Sequence, residues 1–128
     1  MKFFIFFFVL INYFFLISNI FANEYSDDYF KNMNSKHLEN KLSIEKGKSK
    51  YNTNCISCHG SQGKGARAPT LVSNGFAPGG VYDNKFFFNT IKYGRQGTIM
   101  GSFENILSDD DIWHIIAYLR IESHKTLE

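Results

Sequence analysis

NCISCHG, residues 54–60, contains both cysteines of this 128-residue chain, Cys55 and Cys58, and places His59 directly behind them. Two thiols and an imidazole at this spacing can serve as a redox switch, as half of a metal site, or as the attachment point of a cofactor. The compartment narrows the choice. Lys2 precedes an apolar run over residues 3–22 that only Asn12, Ser18 and Asn19 interrupt, and Ala22 is followed by the polar NEYSDD. A basic start, an apolar stretch and a small residue before polar sequence are the grammar of a secretory signal, so residues 1–22 are expected to be removed. The alternative is an uncleaved anchor, because a helix of that length reaches about 30 Å, enough to cross a bilayer. Under either reading the remaining domain lies outside the cytoplasmic membrane, and the expected location is the periplasm.

Loss of residues 1–22 removes Lys2 and no acid, leaving 13 basic and 12 acidic side chains, a nearly neutral domain. No part is basic enough for nucleic acid. An exported chain with two cysteines is expected to form a disulfide. A disulfide across two residues, however, removes little unfolded-state entropy, so it would be a catalytic dithiol and not a staple. A thioredoxin-like dithiol sits at the end of a strand in a βαβ unit, and nothing before Cys55 reads as a strand. Structural zinc needs four ligands, yet His37, His114 and His124 are scattered and no further cysteine exists. What remains is Cys-x-x-Cys-His as the attachment site of a c-type haem, the cysteines reaching the vinyl groups and His59 the iron.

Around this motif the chain divides. Residues 23–42 are polar, Asn-rich and without sustained period, and read as a linker or loosely held N-terminal extension; residues 43–124 read as the domain. Ile44, Gly47, Tyr51 and Cys55 recur at helical spacing, so a helix runs into the motif. Gly47 within it costs about 1 kcal/mol relative to Ala, which asks for close approach by another element. Eight Gly and Pro residues punctuate 60–82 as loop. A second helix is expected over NKFFFNTIKY, with Asp83 as N-cap and Gly94 as stop. In the last, Ser108 and Asp111 form a capping box, Leu107 and Ile112 a staple, and Ile112, Ile115, Ile116 and Leu119 an apolar stripe. The fold class is therefore all-α, three to four helices with long loops wrapped around the cofactor. His37 and His124 are expected at the surface and His114 at a partly exposed helix position.

Over residues 43–121 the chain resembles a class I c-type cytochrome. Gly47 and Tyr51 look like the Gly/aromatic pair of that family's first helix, and Trp113, Tyr118 and Leu119 like positions of its last, which crosses the first. In CHGSQGKGARAPTL, Pro69 and Leu71 match the usual Pro-x-Leu. The resemblance implies that the Pro69 carbonyl orients His59, that Leu71 lies against the porphyrin, and that Met100 in GTIMGSF is the sixth ligand of iron. Gly101 stands where Pro often follows this Met, and Ala68 where Gly often precedes the Pro. Met33 is a second thioether, but it lies before the haem motif.

The function implied is a monomeric electron carrier with one covalent haem c. It would exchange electrons with redox proteins, for example from a periplasmic quinoprotein-type dehydrogenase to a terminal oxidase. Two alternatives stay open: a haem enzyme or gas sensor with an open sixth position, and a membrane-tethered subunit of a respiratory complex. Between residues 60 and 103, Lys64, Arg67, Lys85, Lys92 and Arg95 stand against the single acid Asp83, which reads either as a positive face toward an acidic partner or as an ordinary solvated surface.

Overall fold

Five helices and one 3-10 turn make up the computed structural model, which describes residues 25–73 and 83–127. The order is α1 (Asp27–Leu38), α2 (Lys41–Asn54), α3 (Ile56–His59), the 3-10 turn Ser61–Gly63, α4 (Asn84–Tyr93) and α5 (Asp109–Leu127). No strand occurs among the described residues, so the all-α expectation stands. The signal segment lies outside the described residues.

α5 is the axis of the fold. Its capping box is formed as expected: Ser108 Oγ accepts from Asp111 N–H at 3.1 Å and Asp111 accepts from Ser108 N–H at 3.2 Å. The apolar stripe is buried, and so are Trp113, His114, Ala117 and Tyr118 on the other faces. A helix covered all round must have neighbours on every side; here α2, α4 and α1 supply them. α2 makes the closest crossing. A Cβ added to Gly47 would lie 1.9 Å from the backbone oxygen of His114, so only glycine lets the two backbones meet. One turn on, Tyr51 is fully buried with its ring 5.5 Å from that of Tyr118.

α1 departs from the reading of residues 23–42 as an aperiodic linker. Ser26 caps it by accepting from Tyr29 N–H, Asp27 and Asp28 occupy the first turn, and Asn40 then caps α2 two residues before the expected start. Its apolar face is thin, Phe30 and Met33 with Tyr29 beside them, too little to read as amphipathic in isolation. Tertiary packing makes it a helix: Phe30 stacks at 5.7 Å on Phe88 of α4, and Tyr29 accepts from Trp113 Nε1–H at 3.1 Å.

Two histidine expectations are corrected. His37 is 2 % exposed and His114 8 %. They meet edge to face with ring centroids 4.9 Å apart, under the end of α1. His124 is exposed, as expected.

Candidate cofactor site

α2 ends at Cys55, whose φ of −121° breaks the helix before the single turn of α3. That turn is closed by hydrogen bonds from Cys58 and His59 N–H to the Cys55 carbonyl at 3.2 and 2.9 Å. It carries both thiols and the imidazole on one short rigid unit. Tyr51 pins the unit from below, its hydroxyl donating to the Gly60 carbonyl at 2.8 Å.

The loop that follows returns to the motif. Gly65 N–H donates to His59 O at 2.8 Å, Ala68 N–H to Cys58 O at 2.9 Å and Leu71 N–H to Gly63 O at 2.7 Å. These bonds bring the Pro69 carbonyl to 3.1 Å from His59 Nδ1. A carbonyl only accepts, so Nδ1 carries the proton and Nε2 keeps its lone pair for a metal. Arg67, which sequence reading treated only as charge, bonds to the Ser57 carbonyl at 3.4 Å and ties the same loop to the motif.

Met100 enters from the other side of the sequence. Gly94 terminates α4 with φ +78°, a left-handed conformation in which an added Cβ would lie only 2.8 Å from Met100 O. The loop is then held by Arg95 N–H to Met100 O at 2.9 Å, Thr98 Oγ to Arg95 O at 2.8 Å, and Met100 N–H to Thr98 Oγ at 3.1 Å. Ser102 Oγ donates to Lys92 O at 2.7 Å and accepts from Glu104 N–H. Sequence reading missed Thr98 and Ser102, although hydroxyls on either side of a turn are a known turn signal. Together they supply the order that the missing proline at Gly101 would have supplied.

Cys55, Cys58, His59, Pro69, Leu71 and Met100 all line one cavity of about 440 Å³. Phe86, Phe87, Ile91, Phe103, Ile115 and Leu119 complete walls that are overwhelmingly apolar. The site therefore combines a large apolar slot, two thiols at its edge, and one nitrogen and one thioether donor. That donor set suits a flat apolar macrocycle around a soft or borderline metal. Burial, reinforced by Cys58, pushes the Cys55 thiol up to about 11. A nucleophilic cysteine needs the opposite, a thiolate at neutral pH, so burial disfavours Cys55 in that role. Among the described residues no three His, Cys, Asp or Glu side chains group as a metal cage.

Charge at the cavity mouth differs from the sequence expectation. Arg67 and Arg95 line it and are exposed. Lys92 is withdrawn: its side chain is 12 % exposed and pairs with Asp109 at 2.9 Å. Lys85 pairs with Asp27 at 3.2 Å. Ile99, 89 % exposed, is the apolar element of the rim.

Residues 43–119 match the family described as cytochrome c oxidase, cbb3-type, subunit III. A curated relative, the cbb3-type cytochrome c oxidase subunit CcoP of Azospirillum brasilense, is 31 % identical over 99 residues, or 72 % of this chain. The chain spans only 32 % of that relative's length. Among solved structures, cytochrome cL from the marine methylotrophic bacterium Methylophaga aminisulfidivorans superposes with a TM-score of 0.62 at 28 % identity, covering 77 % of this chain and 67 % of that one. Cytochrome cL from Hyphomicrobium denitrificans gives 0.56 at 31 % identity, covering 61 % and 46 % respectively.

Proposed function

Because this chain belongs to the family of cytochrome c oxidase, cbb3-type, subunit III, and so to the c-type cytochromes, we propose that it is an exported single-haem electron carrier. The observation that carries this reading is that Cys55, Cys58, His59 and Met100, drawn from separate segments, line one apolar cavity. Haem c supplies a reversible one-electron iron couple.

The residues divide the work. Cys55 and Cys58 would form thioethers to the cofactor edge, their two-residue spacing holding both sulfurs on the single turn of α3 and its N-cap. His59, its Nδ1–H held by Pro69 O, offers a fixed Nε2 to iron. Met100 offers a neutral thioether, which favours the reduced state relative to a second imidazole. Leu71 and the phenylalanine walls exclude water. With His59 and Met100 both available to hold iron, the centre would serve as a carrier and leave no position open for a substrate. The single Cys-x-x-Cys-His in this sequence supports a count of one haem.

Redox proteins are the partners: a periplasmic dehydrogenase as donor and an oxidase as acceptor. Arg67 and Arg95 at the mouth favour an acidic face on the partner. The tethered reading draws on the similarity to an oxidase subunit and on the apolar run over residues 3–22; no described helix is long and apolar enough to cross a membrane. The mass of the mature chain separates the two.

The test is haem staining after denaturing electrophoresis of the exported protein. The parent should stain, each single Cys→Ala variant should stain more weakly, and the Cys55→Ala, Cys58→Ala double variant should not stain at all. Staining retained in the double variant sinks the proposal.

A further inference from the structure

The loop carrying Met100 leaves α4 at Gly94 and returns to it ten residues later, where Phe103 N–H bonds the Ile91 carbonyl at 3.2 Å and Ser102 Oγ bonds the Lys92 carbonyl at 2.7 Å. Such a closed excursion is only as firm as its neck. Lys92 stands at the neck twice. Its main chain receives Ser102, while its side chain crosses to the first residue of α5, reaching Asp109 Oδ1 at 2.9 Å. The same ammonium donates to the Tyr25 hydroxyl, which in turn donates to Asp109 Oδ2 at 2.7 Å. Lys92 Nζ also sits over the rings of Tyr25, Phe88 and Tyr93, at 4.9, 5.7 and 5.6 Å. The three groups thus close a ring of hydrogen bonds in which Lys92 is largely enclosed, while Asp109 stays partly exposed. Burial pulls the Lys92 ammonium down, but its bonds to Tyr25 and Asp109 outweigh that and hold it well above its ordinary value.

We propose that Tyr25, Lys92 and Asp109 form a brace that holds the 94–103 loop closed over the cavity, making all three positioning residues for Met100. Tyr25 belongs to the segment ahead of α1, so the N-terminal extension acts on the electron-transfer site from the far end of the sequence. The statement about the loop stands on hydrogen bonds alone; the statement about Met100 rests on the ligand reading above.

The mature haem-loaded protein is compared with its Tyr25→Phe, Asp109→Asn, Lys92→Arg and Lys50→Met variants. Lys50→Met is the control, because it removes an ion pair of similar length, Lys50–Asp111 at 3.2 Å, from the same end of α5 but away from the loop. Two quantities are read: hydrogen exchange of the peptide covering residues 94–103, and the rate of cyanide binding to the ferric protein. Asp109→Asn and Tyr25→Phe should accelerate both by about tenfold, while Lys92→Arg and Lys50→Met stay near the parent. Exchange unchanged in Asp109→Asn and Tyr25→Phe, or raised equally by Lys50→Met, overturns the brace. If exchange responds but the parent binds cyanide at once and lacks a sulfur-to-iron band, the brace stands and Met100 is not the ligand. If the parent shows that band and exchange does not respond, the ligand reading stands and the brace falls. Tyr25→Phe removes one oxygen and keeps the ring stack, so it remains informative if Asp109→Asn fails to fold.

Discussion

Gly47 is where a single missing methyl group decides whether two helices can cross. Its Cβ would fall 1.9 Å from the carbonyl oxygen of His114, a backbone atom that no rotamer change can move aside. Gly47→Ala should therefore force α2 from α5 and cost about 3 kcal/mol, the upper part of the range for overpacking. A denaturation midpoint within experimental error of the parent would refute the crossing. Met100 is the residue-scale counterpart at the site. Met100→Ala deletes one side chain from a loop whose backbone bonds go to Arg95 and Thr98, so fold and covalent haem should persist. The near-infrared band that reports sulfur on ferric haem should vanish, and carbon monoxide should bind the ferrous form. Met100→His should keep the sixth position filled but lower the potential. A parent that lacks the band and takes up carbon monoxide rapidly would hand the function to the open-site reading.

At the scale of elements, α1 is the helix whose docking should depend on pH. Burial, followed by the neighbouring His114, holds His37 below its ordinary value, and burial holds His114 below its own. Asp110 and, for His114, Asp111 oppose this, while Lys36 and, for His114, Lys46 assist it. His37 Nδ1 is bonded to Ser43 Oγ at 3.1 Å. Its Nε2 lies 3.4 Å from Asp110 Oδ1, but that contact is misaligned and the nitrogen has no hydrogen-bond partner, as is true of His114 Nδ1. A folded pKa below the unfolded one means that the unfolded chain binds the proton first. The stability is fully present above the unfolded value, about 6.5, and is lost as pH falls from there through the lower folded values. The denaturation midpoint of the holoprotein should thus drop as pH is lowered below about 6.5, while carboxylates remain ionised. The slope should flatten in a His37→Gln, His114→Gln variant. A double variant with the parent's slope would show that other groups carry the pH dependence.

The same helix marks the boundary of what the sequence disclosed. α5 was legible because its signals are local: a capping box, a staple and a stripe within twelve residues. Cys55, Cys58 and His59 could be singled out because their spacing is local, and all three line the cavity. α1 was not, since its stability comes from Phe88 and Trp113, more than fifty residues away, and a thin stripe of Tyr29, Phe30 and Met33 has no periodicity of its own. Lys92 was misread for the same reason. Counted along the chain it is one more basic residue; in space it belongs to Asp109.

At the scale of the whole molecule, the question is whether the chain can keep this shape without its cofactor. The walls of the site surround a slot of about 440 Å³ and are almost entirely apolar. Apolar walls left against water forgo the burial that stabilises a domain. A domain of this length has only about 5–15 kcal/mol in total. The elements around the slot offer little compensation: α3 is a single turn, and the segments 60–73 and 94–108 are loops held mainly by their own hydrogen bonds. Collapse would be opposed too, because the Tyr51 bond to Gly60 holds the Cys-x-x-Cys-His turn in place at the slot. Haem is then part of the core, and binding free energy becomes folding free energy. Expression without residues 1–22, the proposed export signal, should leave the chain in the cytoplasm without attached haem. That apo-chain should lack a cooperative thermal transition and near-ultraviolet dichroism from Trp113, whereas the exported holoprotein should have both. A cooperatively melting apo-domain would mean that the helices alone outweigh the cavity, and that α1 and the aromatic cluster around Trp113 form a core sufficient without haem.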